Sequence, residues 1–157
     1  MSNETQLRFR AGSRTDATFI AELARIALAP FGRYDTLLMA WLESGEVATV
    51  IAYEKDPIGF AMIGFYRSGE ITIADLLAIA VTPAAQKRGV GTKLLDRALD
   101  LTRSLAQRTG ATEVRLSVSE HNATALQMFS HAGFSTIDEE PGSYDGGQRA
   151  LRMKRGL

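Results

Sequence analysis

The spacing of hydrophobic residues changes along the chain, and each spacing is typical of one kind of secondary structure. Apolar residues three and four positions apart, such as Phe19, Leu23 and Ile26, predict one face of a helix. Short runs rich in β-branched and aromatic residues predict strands. These rules predict helices directly after residues 15–16 and over 35–43, 89–109 and 122–132. They predict strands over 7–10, 48–53, 59–66, 71–81, 114–118, 134–137 and 149–154.

The order of these elements predicts the class of fold. Residues 48–53 and 59–66 flank the turn at Asp56 and Pro57 and should form a hairpin. Residues 71–81 are almost entirely apolar, which is typical of a strand buried on both faces in the middle of a sheet. The second half alternates strands and helices, as crossover units do. We therefore predict an α/β fold with a mixed sheet of about seven strands and flanking helices.

Composition narrows the classes of protein that fit. The length of 157 residues favours a single domain over 1–157. The 18 basic and 18 acidic residues give no net charge, which argues against a nucleic-acid binder. The chain has no cysteine, and its two histidines lack metal-ligand spacing, so no metal site is expected.

The sequence also indicates the cellular compartment in which the protein is expected. No apolar run approaches the roughly 18 residues that span a bilayer, and the N-terminal residues lack the apolar stretch of a signal peptide. We therefore expect a cytoplasmic protein with no membrane partner.

The segment from Val81 to Thr92 carries the clearest chemical signal. It joins the central strand to the longest helix and contains Gly89 and Gly91. Glycines let a backbone approach a ligand closely, and the unpaired N–H groups of a helix N-terminus suit an anion such as phosphate. Lys87 and Arg88 add positive charge. A plain strand-to-helix turn is the alternative interpretation.

Two other phosphate-binding loops do not fit this segment. A Walker A loop needs a glycine five positions before Gly91, and the sequence has none there. A dinucleotide-binding fingerprint needs a third glycine where Leu94 stands. The spacing therefore favours neither ATP nor NAD.

Three motifs in this region resemble the GNAT (GCN-related N-acetyltransferase) superfamily. Residues 81–91 read V-x-P-x-x-Q-x-x-G-x-G, which resembles the acyl-CoA-binding motif of that family. Residues 75–81, DLLAIAV, resemble the family's preceding strand. Asn122, Ala125, Phe129 and the pair at 133–134 have the spacing of its next helix. The element order agrees over essentially the whole chain.

The resemblance implies a GNAT-like sheet whose central parallel pair, residues 71–81 and 114–118, splays apart at the cofactor site. It implies an acetyltransferase that moves an acetyl group from acetyl-CoA to a primary amine by direct attack. Backbone amides of 87–92 would hold the pyrophosphate, and the main chain of Ile79 and Val81 would pair with the pantetheine arm. The implied cofactor-binding residues are Ile79, Val81, Gln86, Lys87, Arg88, Gly89, Val90, Gly91, Thr92, Asn122 and Phe129.

Catalytic groups are predicted from polar residues in unusual places. Asp75 interrupts an apolar central strand and is the candidate base, unless it faces solvent or pairs with an arginine. Members of the family often have a tyrosine acid where this chain has Phe129, which cannot donate a proton. Tyr144, in the glycine-rich loop over 139–148, is a candidate substitute acid, with simple packing as the alternative. His121 and His131 are weaker candidates for a base.

The acceptor and the assembly are less constrained. Phe31, Arg33, Tyr34 and Trp41 resemble the family's acceptor-binding region and suit a small-molecule or peptide amine. A homodimer that adds the last strand to a second copy's sheet is one expectation. Two alternatives to the acetyltransferase stay open: a CoA-binding sensor without turnover, and a transferase that uses a longer acyl-CoA.

Overall fold

A mixed eight-stranded sheet forms the centre of the computed structural model, which describes residues 6–137 and 142–157. Its order is β1-β2-β3-β4-β5-β8-β6, with β7 also paired to β8. The strands are β1 Arg8–Ala11, β2 Ala48–Tyr53, β3 Pro57–Ser68, β4 Ile71–Val81, β5 Glu113–Ser119, β6 Ser135–Thr136, β7 Gly142–Ser143 and β8 Arg149–Gly156. The α-helices are α1 Ala17–Ala27, α2 Tyr34–Ser44, α3 Val90–Thr109 and α4 Ala123–His131. The predicted class of fold is confirmed.

Helices cover both faces of the sheet and divide the core in two. The long helix α3 packs with α4 against one face, where Val50, Ile63, Leu76, Val114 and Met153 are buried. Helices α1 and α2 pack on the opposite face over Ile51, Phe60, Met62, Ala78 and Ala80. The predicted position of residues 71–81 in the middle of the sheet follows from this double cover, because β4 lies between β3 and β5.

The central parallel pair separates partway along its length. Strands β4 and β5 pair only from Ile73 with Glu113 to Leu76 with Leu116. A β-bulge follows at once, because Met62 pairs with Ala78 while the next residue, Ile63, pairs with Leu76. Bulges bend a strand and increase its twist, so β4 leaves β5 and a gap opens between them.

Several expectations about elements are corrected. Ile26 is 62% exposed, and the buried side of α1 consists of Ile20, Leu23 and Ala24. The reason is that Leu23 belongs to two possible apolar faces of this helix, the predicted one with Ile26 and the buried one with Ile20. The sequence spacing alone does not show which of the two is buried. The predicted strand at 134–137 shortens to β6, and β7 was not predicted.

The last strand has partners along one edge and along part of the other. β8 bonds to β5 along one edge and to β6 and β7 along the other. A homodimer through this strand stays a prediction, because β6 and β7 pair with only part of the second edge, at residues 153–154 and 149–150. The predicted loop at 139–148 lies partly outside the described residues.

Candidate active site

A cleft of about 220 Å³ lies where β4 and β5 separate. Its floor is the sheet around Asp75, Ile79 and Ser117. Helix α4 forms one wall, and the connection between α1 and α2 forms another. Its remaining lining residues are Leu28, Phe31, Tyr34, Trp41, Leu76, Leu77, Ala78, Leu116, Val118, Ser119, Asn122, Ala125, Phe129 and Tyr144.

Asp75 reaches this cleft from the last paired part of β4. It lies beside Gly64 on β3 and Arg115 on β5. Burial raises the pKa of the Asp75 carboxyl, and the positive charges of Arg152 and Arg115 oppose that rise. The ion pairs among the described residues do not include Asp75, since Arg115 instead donates to Glu113 across 2.9 Å. A poorly solvated carboxylate without a hydrogen-bonded cation is a stronger base than an exposed one.

A second cavity of about 250 Å³ shares Asp75 with the cleft. Trp41 and Leu77 also line both spaces. The second cavity continues toward Glu46 and Tyr66, between α2 and the far part of β3. Asp75 is therefore open to two spaces rather than one.

The hairpin between β7 and β8 covers the cleft and carries Tyr144. The Tyr144 and Phe31 rings lie 5.1 Å apart, and Gln148 Nε2 donates to the Pro30 carbonyl at 2.9 Å. A side chain at Gly146 would collide with that same carbonyl, so the close contact requires glycine there. Burial raises the pKa of Tyr144 to about 12, with a further rise from Tyr34 and an opposing effect of Arg152. The phenol is therefore neutral across the physiological range.

The glycine-rich segment forms the N-terminus of α3. Gly89 precedes the helix in the left-handed region, with φ 78°. The first helical hydrogen bond runs from Lys93 N to Gly89 O at 3.2 Å, so the N–H groups of Val90, Gly91 and Thr92 precede the helical ladder. A Cβ at Gly91 would lie 3.5 Å from the Met128 sulfur, which is ordinary contact.

The polar side chains of this segment are partly engaged by the protein itself. Gln86 Nε2 donates to the Val81 carbonyl at 3.1 Å and ties the loop to the end of β4. Arg88 Nη2 donates to both carboxylate oxygens of Glu54, at 2.8 and 2.9 Å. Lys87 is exposed and has a positive φ of 63°. Glu54 had no sequence signal, because its partner is 34 positions away.

Asn122 and Phe129 face the cleft from either end of α4. The Asn122 Oδ1 accepts from the Ala125 N–H at 3.1 Å, so the side chain caps α4 and leaves its amide nitrogen for another partner. Phe129 is buried and meets Phe134 edge-on at 5.8 Å between ring centroids. Phe129 is thus both a core residue and part of the cleft wall.

Three of the predicted acceptor-binding and catalytic residues are absent from the lining of the cleft, as are Val81 and residues 86–92 of the predicted cofactor-binding segment. Arg33 is 82% exposed and pairs with Asp35 at 3.1 Å. His121 is 79% exposed and lies 3.4 Å from Glu120, and His131 is exposed at the end of α4. Tyr34 and Trp41, by contrast, line the cleft as predicted.

Two features are absent from the described part of the chain. In residues 6–137 and 142–157, no three histidine or acidic side chains cluster as metal ligands do. None of the helices in those same ranges combines the length and apolar character needed to cross a membrane.

Comparison with known proteins shows the family. Residues 16–134 match the model of the acetyltransferase (GNAT) family. The chain therefore belongs to that family, and the resemblance of the three motifs is confirmed.

A curated relative matches only part of the chain. Mycothiol acetyltransferase of Beutenbergia cavernae is 38% identical over 63 residues, which are 40% of this chain and 20% of that protein. The matched region thus spans about a fifth of that relative's length.

Solved structures agree over the whole fold. NAA60 of Arabidopsis thaliana, determined with acetyl-CoA, superposes with a TM-score of 0.81 at 17% identity, covering 97% of this chain and 99% of that one. An acetyltransferase of Bacillus subtilis in complex with CoA gives a TM-score of 0.75 at 19% identity and covers 97% and 99% of the two chains. At such identities the likeness shows the fold.

Proposed function

We propose that this chain transfers an acetyl group from acetyl-CoA to a primary amine, and that the amine attacks the thioester directly. One observation carries the proposal: Asp75 lines the gap between β4 and β5, and Gly91 at the start of α3 lies against Val81 on β4 and Met128 on α4, the helix that walls the gap. A thioester placed in the gap would therefore have a base on one side and an anion-binding loop on the other. The acetyl-CoA-bound NAA60 structure has the same fold and supports the choice of donor.

The gap suits a long, peptide-like cofactor. Backbone groups alternate between the two sides of a strand, and the Thr82 N–H donates to Ile58 on the β3 side. The backbone N–H and C=O groups of Ile79 and Val81 consequently point into the gap, where an amide-bearing arm could pair with them. Asn122 lines the same space at the start of α4.

The phosphate end of the cofactor fits the start of α3. The N–H groups of Val90, Gly91 and Thr92 and the positive end of the helix dipole form an anion site. Lys87 supplies a cation at the rim. Arg88 is held by Glu54, so its contribution requires release from that carboxylate.

Asp75 is proposed as the base that accepts the amine proton, directly or through a water molecule. Its raised pKa makes the carboxylate a better proton acceptor than an ordinary aspartate. The second cavity then gives the proton a route away from the reacting atoms, because Asp75 lines both spaces.

Tyr144 is proposed to donate a hydrogen bond rather than to give up its proton. A phenol of pKa about 12 is a far weaker acid than a thiol, whose pKa is about 8.5. Full proton transfer to the departing thiolate would thus be unfavourable. A hydrogen bond from the phenol still stabilises negative charge on sulfur or on the carbonyl oxygen.

The test is acetyl transfer to a panel of amines, followed by release of the CoA thiol and by mass spectrometry of the acceptor. We expect acetyl-CoA-dependent acetylation of at least one amine and little thiol release without an amine. Longer acyl-CoA thioesters are assayed in parallel. A preference for one of them would identify that thioester as the donor in place of acetyl-CoA. Acetyl-CoA binding without turnover on any amine would contradict the proposal.

That last outcome would favour the second candidate, a CoA-binding sensor. Phe129 favours it, because the position of the family's usual acid holds a ring without a hydroxyl. The Asp75 carboxylate argues against it, since a sensor has no need of a buried base.

A further inference from the structure

Arg152 lies on β8 near the cleft, and the proposed acetyl transfer gives it no role. Arg152 is not itself among the lining residues of the cleft, but it lies opposite Ser117, which is, and paired residues of neighbouring strands share a face of the sheet. Its neighbour Met153 is buried in the core on the α3 side, so Arg152 points to the other side, over which Tyr144 and α2 lie. The influence of its charge on both Asp75 and Tyr144 agrees with that direction.

The guanidinium of Arg152 has no acceptor within the described residues. Its Nε is buried without a hydrogen-bond partner, and the ion pairs among those residues do not include it. Arg152 as a whole is half-buried. A cation that gives up part of its hydration is normally compensated by a partner. Arg115, also on this face, differs because Glu113 accepts from its Nε at 2.9 Å.

We propose that Arg152 binds a carboxylate on the acceptor, so that the acceptor is an amine that also carries a carboxylate. This inference rests on the proposed acetyl transfer and names the class of its acceptor. A guanidinium matches a carboxylate with paired hydrogen bonds, which gives both affinity and orientation.

The distance between Asp75 and Arg152 fits such a molecule. Arg152 lies two strands from Asp75 and about two residues further along, which places their Cα atoms roughly 12 Å apart. Both side chains rise from the same face of the sheet, so their charged ends stay several ångströms apart. That separation leaves room for a small amino-carboxylate with a hydrogen bond at each end. Asp75 would then receive the amine end and Arg152 the carboxylate end.

The lining of the cleft suggests an apolar acceptor side chain. Leu28, Phe31 and Trp41 line the same space. Leucine, methionine and phenylalanine are therefore the first acceptors to test, each beside its carboxamide, which keeps the amine and removes the negative charge.

The first measurement is binding, which does not depend on turnover. N-acetyl-leucine, N-acetyl-methionine and N-acetyl-phenylalanine and their carboxamides are titrated by calorimetry into the protein saturated with CoA. We expect the carboxylates to bind at least about 10-fold more tightly than the carboxamides. Arg152→Gln should remove that preference by weakening the carboxylates alone.

Lys154→Gln is the matched control. Lys154 is exposed on the same strand and the same face, and its replacement removes the same charge. It should behave as the unaltered protein does. Unchanged CoA affinity shows that each variant is folded. If Arg152→Gln does not fold, Arg152→Lys replaces it as the test variant, because lysine keeps the charge but loses the paired geometry.

The second measurement is acetyl transfer to the free amino acids and their carboxamides. The ratio of variant to unaltered kcat/KM is taken for each acceptor, which cancels differences in amine basicity. Arg152→Gln should lower kcat/KM about 10-fold or more for carboxylates and little for carboxamides. Equal losses on both, or no preference in the unaltered protein, would overturn the carboxylate site. Absence of transfer with a retained binding preference would instead contradict the transferase and leave the carboxylate site supported.

Discussion

At the scale of single residues, Asp75 has opposite effects on stability and on the proposed chemistry. Its pKa in the folded protein lies above the ordinary value of 3.8, chiefly because of burial. The folded state therefore holds the proton more tightly than the unfolded state does. As the pH rises from 3.8 through the raised pKa, the free energy of unfolding falls, and the loss persists at neutral pH.

We predict that Asp75→Asn lowers kcat strongly, raises Tm at pH 7 and leaves CoA affinity nearly unchanged. The amide keeps the shape of the side chain and removes both the desolvated charge and the base. The acidic limb of the pH–rate profile should disappear with the carboxylate. Calorimetry, thermal melts and pH–rate profiles measure these effects.

Asp100→Asn is the control for this experiment, since Asp100 is an exposed aspartate on α3 that pairs with Arg103. A lower Tm for Asp75→Asn together with an unaltered pH–rate profile would assign the carboxylate to structure alone.

Tyr144 allows a second test at this scale. Tyr144→Phe removes the hydroxyl and keeps the ring that contacts Phe31. If the phenol stabilises developing charge, kcat should fall by about 10-fold or more with CoA affinity retained. Phe129→Tyr should partly restore the rate in that background, because it places a hydroxyl where the family usually has one. Tyr53→Phe, on β2 and outside the cleft lining, is the control and should leave kcat unchanged. If Tyr144→Phe also leaves kcat unchanged, the thiolate departs without help from this phenol.

At the scale of elements, the two glycines before α3 have different physical roles. Gly89 adopts a left-handed φ that other residues reach at a cost, so it fixes the entry into the helix. Gly91 is helical, and a Cβ there would make only ordinary contact with Met128. A substitution at Gly91 therefore tests the approach of a ligand rather than the fold.

We predict a graded loss of CoA binding at Gly91. Gly91→Ala should fold normally and bind CoA less tightly, because the methyl group lies beside the proposed pyrophosphate site. Gly91→Glu adds a negative charge there and should weaken binding by at least about 10-fold, or 1.4 kcal/mol. Gln107→Glu adds the same charge at the exposed far end of α3 and should have little effect. Calorimetric affinities equal to that control would move the pyrophosphate away from this helix.

At the scale of the whole molecule, the sequence predicts the elements better than it predicts what lies between them. The central strand and the long helix follow from local spacing, and the family follows from the resemblance of three motifs. The structure and the family match confirm them. The bulge at Leu77 has no local signal, because it is defined by the pairing of β4 with β3. The gap that it helps to open was expected only through the resemblance.

Candidate site residues show the same division. Asp75 was predicted because a carboxylate interrupts an apolar run, and it lines the cleft. Arg33 has the right type and region, but its side chain pairs with Asp35 outside the cleft. Arg152 was missed because an arginine in a strand of alternating polarity looks like an ordinary solvated residue. Only the pairing of β8 with β5 places it beside Ser117.

The proposed binding mode also predicts a property of the whole fold. A cofactor held by β4, the start of α3 and α4 would join elements that are far apart in the chain. A ligand that binds only the folded state stabilises it by about 2.7 kcal/mol at 100 times its Kd. For a chain of this length each kcal/mol is worth roughly 2–4 °C, so CoA should raise Tm by about 5–11 °C.

Pantetheine, which lacks the pyrophosphate, separates the contributions of the two ends. At equal concentration it should give a smaller shift than CoA, because it can occupy the gap but not the start of α3. Gly91→Glu should reduce the shift with CoA toward the pantetheine value and leave the shift with pantetheine unchanged. If Gly91→Glu reduces the rise in Tm equally with both ligands, the substitution disturbs the gap itself. If CoA and pantetheine raise the Tm of the unaltered protein equally, the helix N-terminus is not part of the binding site.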